Sequence, residues 1–266
     1  MTADPWKAAL DAPIFAALRP SLSRLTSDFP RHEDLNALAH SSVVSGGGAA
    51  IRFVPPAPVK EAAARYEVRI FETGEVQTRP GNWHDLFNAL VWLAFPQTKA
   101  IINRHHRDEI AARRGDPRRG TARDVLTLFD EGGVVVASAN AELSELLRAF
   151  SWKELFWTRR EEVRRLMRFH VFGHAIYEKA LAPRKGVTAK ALLVDVAHAL
   201  LDAPMERQIA ELDACAAAHF SAPRSLASTH SLAPLPILGV PGWEPANERE
   251  EYYDDASQFR PRRAAV

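Results

Sequence analysis

Cysteine is almost absent from this sequence, because Cys215 is the only one among 266 residues. A single thiol excludes an internal disulfide and a zinc site built from clustered cysteines. Cys215 lies between two alanines at helical spacing. We therefore predict a packed small side chain at this position, with a nucleophile as the alternative.

Long apolar runs are missing as well. No window reaches the roughly eighteen apolar residues that a membrane-spanning helix needs, and the longest run near the centre, residues 86–95, contains Asn88. Asp4, Asp11 and Pro13 interrupt the N-terminal stretch where a secretory signal needs continuous apolar residues. We expect a cytoplasmic protein with no membrane partner.

The chain also lacks a large excess of charge, since its formal net charge is +1. No global field attracts nucleic acid or an anionic membrane. A glycine-rich phosphate loop, a dinucleotide-binding glycine fingerprint and the glycine–serine–glycine nucleophile elbow are absent. The sequence therefore carries no signature of the corresponding nucleotide-binding and serine-hydrolase classes.

Two tracts are nevertheless locally basic. Residues 104–123 hold seven arginines against three acidic residues, and residues 159–168 hold five arginines against two glutamates. Together they are able to form a phosphate-binding face, so a nucleic-acid or ribonucleoprotein binding module is our alternative function. The simpler interpretation is a solvated loop and an ordinary charged helix face.

The hydrophobic periodicity predicts an α+β fold that is predominantly α-helical and has two short β-hairpins. Residues 66–78 alternate polar and apolar side chains around Thr73 and Gly74, and residues 124–138 do so around Gly132 and Gly133. Residues 188–201 fit a helix or a buried strand, and we favour the helix. Further helices are predicted at residues 83–95, 96–112, 141–150, 151–168, 175–181 and 204–220.

Changes in composition suggest three parts of the chain. Residues 1–50 combine short helices with a glycine-rich connector, and residues 51–220 form the main α+β body. Residues 221–266 are rich in proline and show little periodicity, but they contain aromatic residues. We predict an irregular tail that packs on the body.

The first candidate site lies on the predicted helix at residues 83–95. At 100° per residue, His84, Asp85 and Asn88 share a narrow polar stripe, which also contains Trp92. We predict His84, Asp85 and Asn88 as catalytic residues. The alternative for Asp85 is a structural role, because a carboxylate in the first turn is favoured by the helix dipole.

Other polar residues extend this site. We predict that His84, Asp85 and His174 bind a divalent metal ion. His105 is a reserve candidate for a metal ligand. Ligand-binding residues are predicted at Trp92, Lys99 and Tyr177.

Two other patterns bear on metal binding. His170 and His174 have an i, i+4 spacing that can place two imidazoles on one metal ion, and Tyr177 and Glu178 lie on the same helical face as His174. Asp130 and Glu131 are interpreted either as a carboxylate pair that serves a metal ion or a general base, or as an ordinary acidic turn.

Six blocks of sequence carry a family resemblance, at residues 69–76, 79–99, 126–131, 152–156, 172–179 and 238–243. Over roughly residues 60–262 the chain resembles an uncharacterised bacterial family, the domain of unknown function DUF3025. The resemblance implies a soluble proteobacterial protein and brings no established activity.

The density of histidine, carboxylate and amide groups beside tryptophan favours an enzyme. Our leading hypothesis is a hydrolase that acts on a small molecule by metal-assisted or general-base chemistry. The cofactor would be a divalent metal ion. The arginine-rich nucleic-acid module is the alternative, and a scaffold without a site is the third possibility.

Overall fold

The computed structural model of the protein describes residues 10–25, 29–56, 63–112 and 120–261. Helices make up most of these residues and surround one larger sheet. The α-helices are α1 Arg19–Leu22, α2 His32–Leu38, α3 Ala63–Thr73, α4 Trp83–Ala94, α5 Pro96–Ala112, α6 Thr121–Gly132, α7 Ala141–Arg148, α8 Arg160–Leu166, α9 His174–Ala180, α10 His198–Leu201 and α11 Met205–Ser221. The strands are β1 Arg52–Val54, β2 Glu75–Gln77, β3 Gly133–Ser138, β4 Met167–Val171, β5 Thr188–Asp195 and β6 Ala233–Pro236.

The larger sheet has the strand order β4-β3-β5-β6. Its central strand β3 runs antiparallel to β4 and parallel to β5, and β5 runs antiparallel to β6. Every residue of β3 is buried, as expected for a strand covered on both faces. A second, two-stranded sheet pairs β1 with β2 in parallel. The predicted class, α+β and predominantly helical, is confirmed.

The two predicted hairpins are wrong. Most of residues 66–78 form helix α3, which is followed by the short strand β2. Gly74 adopts a left-handed φ of 72°, and its N–H donates to the Ile70 carbonyl at 2.9 Å. A glycine of this kind ends a helix, so the Thr73-Gly74 signal marks a helix end and not a hairpin turn.

The second predicted hairpin is also replaced by a helix end. The residues predicted as its first strand belong to α6, whose Val125, Leu126 and Phe129 form one buried face. Gly132 is the last residue of that helix, and β3 begins at Gly133. The expected return strand therefore exists, but its antiparallel partner is β4 instead of residues 124–130.

Three further expectations also need correction. Residues 188–195 form strand β5, which lies between β3 and β6, and only residues 198–201 of the predicted helix are helical, as α10. The helix expected through residue 168 gives way at Met167 to β4, which includes His170. Cys215 is exposed on α11 instead of packed.

The two helices predicted at residues 83–95 and 96–112 are confirmed as α4 and α5. Asn82 caps α4 by accepting a hydrogen bond from the Asp85 N–H at 3.0 Å. Pro96 begins α5, where its missing N–H costs no hydrogen bond. None of the described helices is long and apolar enough to cross a membrane.

Candidate functional site

Two histidines that are far apart in the sequence are in contact near the surface of the protein. His84 is in the first turn of α4, and His174 is the first residue of α9. Their Nε2 atoms are 3.1 Å apart, and the ring planes are inclined by 77°. One proton shared between these atoms satisfies both rings, and so does a cation bound by both lone pairs.

Close packing of two glycine segments brings a carboxylate to this pair. Gly173 N–H and Phe172 N–H both donate to the Gly133 carbonyl, at 2.8 and 2.9 Å. A Cβ atom on Gly173 would lie 2.6 Å from the main-chain oxygen of Glu131. Because Gly173 has no side chain, α9 begins directly against the end of α6 that bears Asp130 and Glu131.

His84, Glu131 and His174 form a group with metal-binding geometry. Each residue offers one ligand atom, and these three atoms lie within 4.8 Å of one another. The Glu131 Oε2 atom is 3.6 Å from His174 Nε2. The His174 side chain is 6% exposed, whereas Glu131 is 49% exposed, so the group is anchored in the protein and open to solvent on one side.

Each imidazole has a carboxylate behind it. Glu178 Oε2 lies 3.0 Å from His84 Nδ1, and Asp130 Oδ2 lies 3.9 Å from His174 Nδ1. Metal-binding histidines commonly direct their second nitrogen to a carboxylate, which fixes the tautomer and the ring orientation. His84 shows this arrangement, whereas the 3.9 Å separation at His174 is too long for a hydrogen bond, and its Nδ1 atom has no hydrogen-bond partner among the described residues.

A buried cation lies behind the carboxylate of Asp130. The Lys99 Nζ atom donates to Asp130 Oδ1 at 2.7 Å and to Asn88 Oδ1 at 2.8 Å. The Asn88 amide in turn donates to the Tyr66 hydroxyl at 3.2 Å. These contacts link helices α3, α4, α5 and α6 behind the histidine pair.

Burial and charge set the protonation of this region. Burial lowers the pKa of His174 to about 4, which keeps the ring neutral and its lone pair available near neutral pH. Burial alone would raise the pKa of Asp130, but the Lys99 ammonium holds it below its usual range. Burial and the neighbouring Asp130 raise the pKa of Glu131.

Asp85 and His105 are not brought to the histidine pair. Both oxygens of Asp85 are occupied by Arg79, at distances of 2.7 to 2.9 Å from its backbone and guanidinium nitrogens. His105 Nε2 lies 3.0 Å from the Phe220 carbonyl at the end of α11. His84 and His174 are thus the two proposed metal ligands that meet, and Asp85 and His105 face other partners.

The predicted ligand-binding residues lie in the interior. Trp92 and Tyr177 are 1% and 0% exposed, and Lys99 is 4% exposed. The Tyr177 hydroxyl donates to the Val171 carbonyl at 2.6 Å, and its ring stacks on Phe87. Asn88 is also buried and holds Lys99. None of these side chains faces the solvent-exposed side of the group.

His170 and His174 are four residues apart in the sequence, but they do not lie on one helix. His170 is on β4, whereas His174 begins α9, so the two imidazoles do not share a helical face. The sequence signal that does mark the site is the pair His174 and Glu178, which are separated by one turn of α9. The Glu131-Gly132-Gly133 segment is the other signal, because its glycines allow the approach of Gly173.

The arginines of residues 159–168 are largely engaged within the protein. Arg159 pairs with Glu162, and Arg160 pairs with Glu248 and also donates to the Asn247 carbonyl. Arg164 pairs with Glu161 at 2.8 Å. In the other tract, residues 113–119 lie outside the described residues. Nucleic-acid binding stays a prediction, and a salt-dependent gel shift with RNA and DNA tests it.

Comparison with known proteins gives one family. No curated protein and no solved structure matches the chain. The family described as protein of unknown function (DUF3025) matches residues 51–263, a range that contains every residue of the group described above. The resemblance seen in the sequence is therefore confirmed, and the chain belongs to the DUF3025 family.

Proposed function

We propose that this protein is a metal-dependent hydrolase whose divalent cation is bound by His84, His174 and Glu131. The observation that carries the proposal is the convergence of three ligand atoms, all within 4.8 Å of one another, from three separate helices. His84 and His174 were proposed from the sequence as metal ligands. Glu131 takes the place in the ligand set that the sequence suggested for Asp85.

The chemistry of the donor set supports a catalytic cation. Two imidazoles and one carboxylate form a set that catalytic zinc sites use, and the same set with open positions also binds non-haem iron. Three protein ligands leave room for water or substrate. The exposure of Glu131 and His84 supports access from solvent.

A bound cation would lower the pKa of a coordinated water and polarise the oxygen of a carbonyl or phosphoryl group. The protein would supply the orientation. Glu178 holds the His84 ring by its Nδ1 atom, and Asp130 lies behind His174. Burial keeps His174 neutral, and a neutral imidazole has one ring nitrogen with a lone pair that can bind a cation.

Metal analysis of the purified protein tests the proposal. We expect near-stoichiometric zinc, iron or manganese, strongly reduced in the variants His84→Ala, His174→Ala and Glu131→Gln. His198→Ala serves as the matched control, because His198 is 51% exposed and pairs with Asp202 away from the group. A folded wild-type protein that takes up none of these ions after reconstitution would overturn the metal centre.

A hydrolysis assay tests the reaction class. We expect the reconstituted protein to cleave at least one member of a panel of p-nitrophenyl esters and phosphates, and chelation to abolish that cleavage. The general-base version of the hypothesis uses the same imidazole pair without a cation. Cleavage that survives chelation and is lost in His174→Ala would favour that version.

A further inference from the structure

Lys99 is a buried lysine that cannot contact a ligand at the open side of the group. It is 4% exposed and lies on α5, with its ammonium 5.3 Å from the centre of the Trp92 ring. Lysine is almost never fully buried unless it is paired. Its contacts with Asp130 and Asn88 fix the ammonium on two sides.

The carboxylate of Asp130 connects this lysine to the histidine pair. Its Oδ1 atom accepts from Lys99 at 2.7 Å, while its Oδ2 atom lies 3.9 Å from His174 Nδ1, an electrostatic contact and not a hydrogen bond. The position of Oδ2 therefore depends on where Lys99 holds Oδ1. The Asn88 amide holds Lys99 from the other side and is itself bonded to Tyr66.

We propose that Lys99 is a positioning residue of the metal centre, which holds the Asp130 carboxylate beside the His174 ring and so sets the affinity for the divalent cation. This inference rests on the proposed function. In this role Lys99 neither contacts a ligand nor forms a simple surface ion pair.

The physical argument concerns what happens to Asp130 without its partner. A buried carboxylate that loses its counter-ion moves toward water, turns to another donor or takes up a proton. Each response changes the position or the charge of Oδ2 beside His174. Partners in this outer position are worth about 10- to 100-fold in metal affinity in comparable sites, so a loss of at least about tenfold is expected.

Cobalt(II) titration of four variants tests the inference. The set is Lys99→Met, Asp130→Asn, the double variant Lys99→Met/Asp130→Asn, and the control Lys185→Met. Methionine keeps an unbranched apolar stem and removes the ammonium. Lys185 is the matched control, because it also pairs with an aspartate, Asp255, but is 63% exposed. The dissociation constant and the visible spectrum of the bound cobalt are both measured.

We expect Lys99→Met to weaken cobalt binding by about tenfold or more and to change the spectrum, while Lys185→Met changes neither. Because Lys99 acts through Asp130, the double variant is expected to bind no more weakly than Asp130→Asn alone. Wild-type affinity and spectrum in folded Lys99→Met would overturn the inference. So would a Lys99→Met substitution that weakens cobalt binding equally in the wild-type protein and in the Asp130→Asn variant.

The double variant also guards against a folding defect. It removes both buried charges together, so neither is left without a partner. If Lys99→Met alone does not fold, the comparison of Asp130→Asn with the double variant decides. Equal affinities that lie about tenfold or more below the wild type support the inference, whereas wild-type affinities or a further loss in the double variant overturn it. If the wild type binds no cobalt, the proposed function itself fails, which is a separate result.

Discussion

Gly173 lies directly against Gly133. A Cβ atom added to Gly173 would lie 2.5 Å from the Gly133 main-chain nitrogen and 2.6 Å from the Cα atom of Gly132. The φ angle of Gly173 is −61°, which any residue adopts. Glycine is therefore required at this position for space, and this contact joins the end of α6 to the start of α9.

The first prediction follows from this contact. Gly173→Ala should lower the free energy of unfolding by about 1 to 3 kcal/mol, because overpacking forces the backbone apart. The same displacement separates His174 from Glu131, so metal content should fall as well. Urea denaturation and metal analysis measure the two effects.

Gly132→Ala is the matched control. A Cβ atom at Gly132 would meet nothing within 4 Å, and the residue needs no left-handed φ. We expect little change in stability or metal content. Equal losses in the two variants would contradict the steric explanation.

A second prediction separates two candidate carboxylates. Glu131→Ala should abolish most of the metal content, whereas Asp85→Ala should leave it near the wild-type value. The reason is that Arg79 occupies both oxygens of Asp85, while Glu131 Oε2 lies 3.6 Å from His174 Nε2. Elemental analysis of the two variants after identical reconstitution measures their metal content. A large loss of metal in Asp85→Ala would restore Asp85 to the ligand set.

Part of this site was predictable from the sequence. The amphipathic pattern of residues 83–95 correctly predicts α4 and places His84, Asp85 and Asn88 in one polar stripe. Helical periodicity does not say which neighbour each side chain meets. Asp85 turns to Arg79 and Asn88 to Lys99, and these choices depend on chain segments whose relative positions the sequence does not fix.

The two hairpin errors have one physical source. Glycine after an alternating segment is compatible with a hairpin turn and with the end of a helix. At Gly74 and Gly132 the helix end is the correct interpretation. The second error concealed the site, because Glu131 in a hairpin would lie at an exposed tip, whereas Glu131 at the end of α6 lies against His174.

A third prediction concerns the start of α5. The carboxylate of Asp213, on α11, accepts from the N–H groups of Gln97 and Thr98 at 2.9 and 2.8 Å. Asp213→Ala leaves the buried Thr98 N–H and the partly buried Gln97 N–H without an acceptor and should cost about 1 to 3 kcal/mol of stability. Asp108→Ala, at an exposed surface ion pair, should cost less than about 0.5 kcal/mol. Comparable losses measured by urea denaturation would contradict the capping role.

The last prediction concerns acid stability. His170 is 3% exposed, and burial lowers its pKa from the ordinary 6.5 to about 4. Between these values the unfolded chain binds a proton that the folded protein does not. Stability from this residue is therefore complete above pH 6.5 and is lost as the pH falls toward 4. With these two pKa values, the loss between pH 7 and pH 5 is about 2 kcal/mol.

His170→Leu removes this proton and keeps an apolar side chain in the buried position. The free energy of unfolding, measured in urea with a chelator at pH 7 and pH 5, should fall less in the variant by about 2 kcal/mol. The chelator removes any contribution from metal binding, and the other buried histidines contribute equally to both proteins. Because His170 lies on β4, outside the group formed by His84, Glu131 and His174, metal content should stay unchanged in His170→Leu. An identical acid sensitivity in the two proteins would show that folding does not lower the pKa of His170.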